Sequence, residues 1–318
     1  IQVKSLPRNN AWQVLKALIG CDLFISGGGT LFQNSTSNRS FLYYIGLVLL
    51  AKTLGKKVAV LAQGFGPLTG KFNHWLTRLA LNKLPLITLR DQASSDKMHE
   101  VGITNPNIHV TADPTILLHT ALPATGRRLM SLEAISFDKP LLGISVRSLP
   151  GGDDEEKLYK SLAAAVDWLV QTYNYAPVFI LFACPEDMTE TAKVINCMRE
   201  KSSVIYKICR PDEMRSVIAN FDLLIAMRLH ALVFAATSSV PLLGLSYDPK
   251  VAAFMKQIDQ PFFEITDNLN AACLKSILEE IVKNKTEIKG RLQQALQPLR
   301  DQAEMNFTLL SERFNPKG

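Results

Sequence analysis

Short apolar runs alternate with amphipathic stretches along nearly the whole chain. DLFISGGG (22–29) predicts a strand that runs into a glycine turn, and residues 38–55 predict a buried helix stopping at Gly55. KVAVLAQGFGP (57–67) repeats the strand-to-glycine arrangement. Residues 71–83 predict a helix, PLITLRD (85–91) a strand, SSDKMHEVG (94–102) a helix and IHVTADP (108–114) a strand that closes this half. IQVKSL at the start also has the character of a strand. Because Ile1 is not an initiator methionine, a preceding segment is expected to be missing.

Residues 119–140 show few periodic apolar positions and predict a link. The alternation then restarts, with strands predicted at 140–148, 176–184, 203–208, 222–227 and 240–247 and helices at 153–173, 185–201, 210–221, 228–239 and 248–258. The first of these helices carries its acids in its first turn, where the helix dipole favours them. The tail from about residue 268 is helical and charged.

Strands alternating with helices imply parallel sheets covered by helices. The expected fold class is α/β, with two Rossmann-like doubly wound domains facing a cleft. One spans residues 1–125; the other spans 139–318 and includes the C-terminal helical tail. Ligands in such sheets bind beyond the carboxyl ends of the strands. The polar clusters fall there: Gly27–Gly29, Gln63–Pro67, Arg90–Asp91, Asp113, Arg147–Ser148, Arg228–His230 and Tyr247–Lys250.

Composition narrows the partners. The 318 residues are 47% hydrophobic and 20% charged, enough for two ordinary domains and without low-complexity segments. The five cysteines are dispersed with no CxxC or Cys/His spacing, which predicts reduced thiols in the cytoplasm, neither a disulfide framework nor a zinc site. The apolar run FLYYIGLVLLA (41–51) is too short to span a bilayer. A net charge of +6 suits an anionic substrate or peripheral contact with an anionic membrane surface. No nucleic-acid-binding pattern accompanies it, so no nucleic acid partner is expected. No HExxH, GxSxG or DxD constellation is present, and His74, His99, His109 and His119 are expected at the surface. No cofactor and no metal site are expected, and the sequence leaves the oligomeric state open.

IAMRLHALVFA (225–235) is the strongest motif: Arg228 and His230 stand among apolar residues. A guanidinium is always charged and costly to bury unpaired, so an anion is expected beside it. Arg228 and His230 leave a strand at a helix start, where the dipole also favours anions. In SYDPK (246–250), Asp248 and Pro249 suit a helix cap, whereas Lys250 stands in a first turn that disfavours cations. An anionic ligand resolves that conflict; a solvated lysine is the plainer alternative. Arg90 in LRD and Arg147 in VRS add cations at strand exits, and Arg grips carboxylate and phosphate bidentately. GGGTLFQ (27–33) offers backbone N–H groups of Gly27, Gly28 and Gly29 to an anion at a helix start, or makes only a tight turn. It matches neither the dinucleotide fingerprint nor a P-loop. Gln63 and Gly64 in QGFGP offer contacts to a sugar, or turn geometry. Glu213 in RPDEM caps a helix, or holds ribose hydroxyls.

Taken in order, DLFISGGGTLFQ, SFLYYIGLVLLAKTLGKKVAVLAQGFGPL, TLRD, TADP, RPDEM and MRLHALVFAATSSVPLLGLSYDPKV resemble the polysaccharide pyruvyl transferase family, most closely its CsaB members. The resemblance runs from about Cys21 to Phe254. It implies a fold like the two-Rossmann GT-B glycosyltransferases. It further implies transfer of the enolpyruvyl unit of phosphoenolpyruvate (PEP) to a sugar as a ketal, with release of phosphate. In CsaB members the sugar is N-acetylmannosamine of a lipid-linked cell-wall precursor, and the ketal supports S-layer anchoring. The location this implies is the cytoplasm, at the inner face of the membrane. Carried over by position, Arg228 and His230 match the family's RLH motif, which holds PEP, together with Lys250 and an arginine, Arg90 before Arg147. His230 is the candidate general acid, with that of a phosphate ligand only as its alternative role. Gly27–Gly29, Gln63, Gly64 and Asp113 fall on the acceptor side. The chain lacks the family's opening turn of the type GYYGxxNxGDE. Two other readings stand beside this one: a nucleotide-sugar glycosyltransferase, and a non-catalytic sugar- or anion-binding scaffold.

Overall fold

The computed structural model describes residues 4–35, 37–119, 121–149, 153–207, 209–265 and 270–315. The chain divides into two compact units, residues 1–117 with 299–318, and residues 118–298.

In the first unit, α1 (Ala11–Gly20) leads into β1 (Leu23–Gly27). There follow α2 (Asn38–Thr53), β2 (Lys57–Gln63), α3 (Lys71–Leu81), β3 (Leu86–Leu89), α4 (Gln92–Glu100) and β4 (Ile108–Val110). The four strands pair in parallel in the order β1-β2-β3-β4. The strands are apolar because a parallel sheet is covered on its faces. Phe41, Ile45 and Val48 of α2 bury against Val58, Val60 and Ile87. Strand alternation turns Thr88 the other way, and its hydroxyl meets the Asn306 side chain at 2.5 Å.

The second unit contains α5 (Pro123–Leu132), β5 (Leu141–Ser145), α6 (Asp153–Tyr173), β6 (Ala176–Ile180), α7 (Glu186–Cys197) and β7 (Ser203–Ile205). It continues with α8 (Pro211–Ile218), β8 (Leu223–Ala226), α9 (Leu229–Thr237), β9 (Leu242–Ser246), α10 (Pro249–Gln257), β10 (Phe262–Glu264) and α11 (Ala271–Lys283). Its sheet is wholly parallel, in the order β10-β9-β8-β5-β6-β7. Counted from β5, that is the doubly wound dinucleotide-type order, which reverses direction between β5 and β8. Both sheets therefore match the expected α/β class.

Four details depart from the sequence expectation. Residues 4–6 are irregular rather than a strand, and residues 1–3 lie outside the described set. Residues 119–140 are not merely a link: α5 packs on α8, the Gly126 N–H donating to Ser216 Oγ at 2.8 Å. Its helical period was hidden because only Leu129 and Met130 add apolar burial to the glycine contact, where a Cβ at Gly126 would stand 2.2 Å from the Ser216 carbonyl oxygen. Neither α1 nor β10 was predicted. Finally, the tail is shared. The helix α12 (Lys285–Phe314) buries Ile288, Leu292 and Leu296 within the second unit's residues and Leu299, Ala303 and Asn306 within the first's. The expected 139–318 domain thus loses its last twenty residues.

Candidate functional site

In the second unit the charged residues gather where the sheet reverses direction. Three neighbouring strands, β9, β8 and β5, end in Tyr247–Asp248, Arg228 and Arg147 respectively. Arg147 and Tyr247 reach across the intervening strand: Nη1 donates to the tyrosine hydroxyl at 2.5 Å and the guanidinium lies 4.5 Å from the ring centroid. A second donor, Nε of Arg147, goes to the Ser148 carbonyl at 3.2 Å.

Arg228 is the N-cap of α9, with 23% of its side chain exposed. Its anion is within the fold. Nη2 donates to Oδ1 of Asp187, which is fully buried in the first turn of α7. The other carboxylate oxygen of Asp187 accepts from the backbone N–H groups of Phe182 and Ala183 at 3.0 and 2.9 Å. Nε of Arg228 is buried with no hydrogen-bond partner. One edge of the guanidinium is therefore fixed and another is unsatisfied, an arrangement that costs free energy until an acceptor arrives. His230 is exposed, at the second position of α9.

Asp248 caps α10, accepting from the Lys250 N–H at 3.0 Å, and its carboxylate also pairs with the Lys250 ammonium at 2.9 Å. Burial pushes the Asp248 carboxyl up. The two hydrogen bonds from Lys250 and the charges of Lys250 and Arg147 outweigh burial and hold it below the usual carboxylate range. Three permanent cations thus face two resident carboxylates, leaving an excess of positive charge. Glu213 lies on α8, where it accepts from the Arg210 N–H at 2.9 Å. Capping accounts for that carboxylate without a ribose.

A separate cluster forms at the carboxyl ends of the first unit's strands. Arg90 is 9% exposed and held by Asp91 (3.4 Å), Asp113 (3.7 Å) and the Thr30 hydroxyl (3.2 Å). A Cβ on Gly64 would come within 2.9 Å of its Nη2. Gln63 is fully buried; its amide donates to Ser26 at 2.9 Å while Oε1 has no partner. Gly27 ends β1, and Gly28 and Gly29 hold φ of +76° and +67°. The expected helix-start anion loop is not formed there. Among the described residues after Gly29 the next helix begins only at Asn38, the Gly28 N–H donates to the Leu61 carbonyl, and the Gly29 carbonyl accepts from the Gly64 N–H.

The predicted residues thus fall into two sets, Arg147, Arg228, His230 and Lys250 in one unit and Gly27–Gly29, Gln63, Gly64, Arg90 and Asp113 in the other. Sequence reasoning missed Asp187, whose place in CPEDM looks like ordinary dipole matching, and placed Tyr247 in a strand-exit cluster without giving it a role. A cavity of about 840 Å³ beside α1 and α2, lined in part by Arg8, Ser37, Arg39 and Tyr43, contains none of the predicted residues. Among the described residues, no three His, Cys, Asp or Glu side chains are grouped to hold a metal ion, and no helix is long and apolar enough to cross a membrane.

Comparison with known proteins places this geometry. Among solved structures, HepE of Anabaena in complex with UDP-glucose is similar with a TM-score of 0.60 and 14% identity, over 95% of this chain and 81% of that one. MnaA of S. aureus with UDP gives 0.61 and 12%, over 97% and 82%. These likenesses concern the fold, that of GT-B-like UDP-sugar enzymes. By sequence, the amylovoran biosynthesis protein AmsJ of Erwinia amylovora is 21% identical over 300 residues, 87% of this chain and 69% of AmsJ. The family model for polysaccharide pyruvyl transferase matches residues 2–249, most of the chain, and takes in every predicted site residue except Lys250. The chain belongs to the polysaccharide pyruvyl transferase family.

Proposed function

We propose that the protein transfers the enolpyruvyl unit of PEP to a sugar of a cell-surface polysaccharide precursor, as a ketal and with release of phosphate. N-acetylmannosamine in a lipid-linked, CsaB-type precursor is the proposed acceptor, and the cytoplasmic side of the membrane the proposed location. The observation that carries the reading is the Arg228 guanidinium, anchored on Asp187 with its Nε buried and unsatisfied, at the direction reversal of the sheet. PEP presents a phosphate and a carboxylate, and Arg147, Arg228 and Lys250 supply cations for both. Arg147 replaces Arg90 as the preferred third cation, because Arg90 is already matched by Asp91 and Asp113.

In this reading His230 protonates the methylene carbon of PEP, and a sugar hydroxyl adds to C2 as its proton returns to the now neutral His230 imidazole. The C2–O bond to phosphate breaks, and a second hydroxyl closes the ketal as its proton passes to the departing phosphate. Asp187 holds Arg228 in place and does not touch substrate.

The test is incubation with PEP and a synthetic N-acetylmannosaminyl acceptor, reading phosphate release and acceptor mass. Phosphate release matched by a pyruvyl ketal supports the reading; neither product overturns it. His230→Ala should abolish turnover while leaving PEP affinity within about twofold; lost PEP affinity instead makes His230 a phosphate ligand. Consumption of a UDP-sugar without PEP would establish the glycosyltransferase alternative, which the fold likeness to HepE favours. Ligand binding without turnover would establish a scaffold.

A further inference from the structure

Helix α3 is built inside out. Its buried positions are Asn73, Thr77, Ala80 and Leu81, two of them polar. Its solvent-facing positions include Phe72, Trp75 and Leu79, at 63%, 51% and 51% exposure. The spacing i, i+3, i+7 places these three on one stripe, and the Phe72 and Trp75 rings pack with centroids 5.9 Å apart. The inward polar residues are satisfied. Asn73 Nδ2 donates to Asn38 Oδ1 at 3.0 Å and the Thr69 carbonyl at 2.8 Å, and the Thr77 hydroxyl donates to the Asn73 carbonyl at 2.8 Å. The helix is thus docked by a mixed face, with Ala80 and Leu81 in the core beside the hydrogen-bonded Asn73 and Thr77, and α2 adds the Lys52 ammonium, which donates to the carbonyls of Leu79 and Ala80 at 2.8 Å each. The apolar stripe is left to face outward by design of the packing, not by loose placement.

The stretch of sequence around it is basic. Between Asp22 and Asp91 the chain carries eight Lys or Arg and no Asp or Glu. Of these, Lys71 and Lys83 are exposed and flank the stripe at either end of α3. Aromatic rings and leucine beside lysines suit the boundary between lipid headgroups and acyl chains, where rings enter the apolar layer and ammonium groups meet anionic headgroups.

We propose that the outer face of α3 docks the protein on an anionic lipid bilayer, with Phe72, Trp75 and Leu79 inserted and Lys71 and Lys83 on the headgroups. The surface differs from the C-terminal tail: α12 buries its own apolar stripe from Ile288 to Ala303. The proposal stands independently of the reaction assigned above.

The experiment is sedimentation of the full chain with vesicles of phosphatidylglycerol and phosphatidylcholine, against phosphatidylcholine alone. Binding should need phosphatidylglycerol, weaken with salt, and fall at least tenfold in Phe72→Ser/Trp75→Ser/Leu79→Ser. Lys71→Gln/Lys83→Gln, which leaves the apolar stripe and the packing of α3 intact, should weaken binding severalfold and keeps the test valid if the triple variant does not fold. In a Trp12→Phe/Trp168→Phe background, Trp75 fluorescence should shift to the blue on adding phosphatidylglycerol vesicles. No vesicle binding, equal binding by both variants, or an unshifted Trp75 overturns the proposal. So does a lipid-free dimer that the triple variant abolishes, which would make the stripe an interface between copies.

Discussion

Removing Asp187 tests the central geometry most directly. Its carboxylate is fully buried and has three donors: Arg228 and the N–H groups of Phe182 and Ala183. Asp187→Ala leaves all three without their acceptor. Breaking a buried ion pair costs about 3–5 kcal/mol, with the guanidinium left uncompensated. Arg228 retains 23% exposure, so water recovers part of that loss and the lower end applies. We expect about 3 kcal/mol for the unit spanning 118–298, lowering its Tm by roughly 6–12 °C. Asp187→Asn should recover little, because one carboxamide oxygen cannot serve both sides: its NH2 must face either the guanidinium or the two backbone donors. The assay is thermal and urea denaturation of wild type, Asp187→Ala, Arg228→Met and the double variant. The cycle should give about 2 kcal/mol of coupling between the two residues. A loss below about 1 kcal/mol for Asp187→Ala, or coupling near zero, refutes the anchoring of Arg228 by Asp187.

Three further expectations follow from the packing and the charges. Gly126→Ala drives a Cβ to 2.2 Å from the Ser216 carbonyl oxygen and should cost about 1–3 kcal/mol in urea denaturation; an unchanged midpoint would show that α5 and α8 slide apart freely. Asn306 accepts from Thr88 and Thr111 and donates to the carbonyls of Ala112 and Ala303, so Asn306→Leu should destabilise the first unit by about 2–4 kcal/mol and speed proteolysis of 299–315. The folded Asp248 carboxyl lies below its unfolded value of about 3.9, so its contribution is fully present above that pH and is lost as pH falls through the lower folded value. The stability gap between wild type and Asp248→Asn, which keeps a capping side chain, should therefore be constant from pH 7 to about 5 and shrink below 4; a gap that grows on acidification contradicts the sign.

The elements that the sequence revealed and those it hid differ in how they are packed. Strands such as β3, buried at all four positions, are continuous apolar runs because both faces of a parallel sheet are covered, so their places were legible. So were the strand exits, since a polar residue after such a run has few other places to go. Helix α5 was not legible because its apolar face is only Leu129 and Met130, and its close contact with α8 is made through Gly126. The tail gave its period but not its allegiance: one stripe from Ile288 to Asn306 continues through Pro298, and nothing in it marks where one unit's core stops serving it. Asp187 was hidden for an electrostatic reason. An acid in a helix's first turn is ordinary, and only the fold brings it to Arg228, forty-one positions away. Helix α3 carries the same limit furthest. Its periodicity predicts a helix with an apolar side and leaves open which side is inward. That choice belongs to the neighbours: Asn38 and the Thr69 carbonyl take up Asn73. Once those bonds and the burial of Ala80 and Leu81 fix the inward face, Phe72, Trp75 and Leu79 have only the outside left to face.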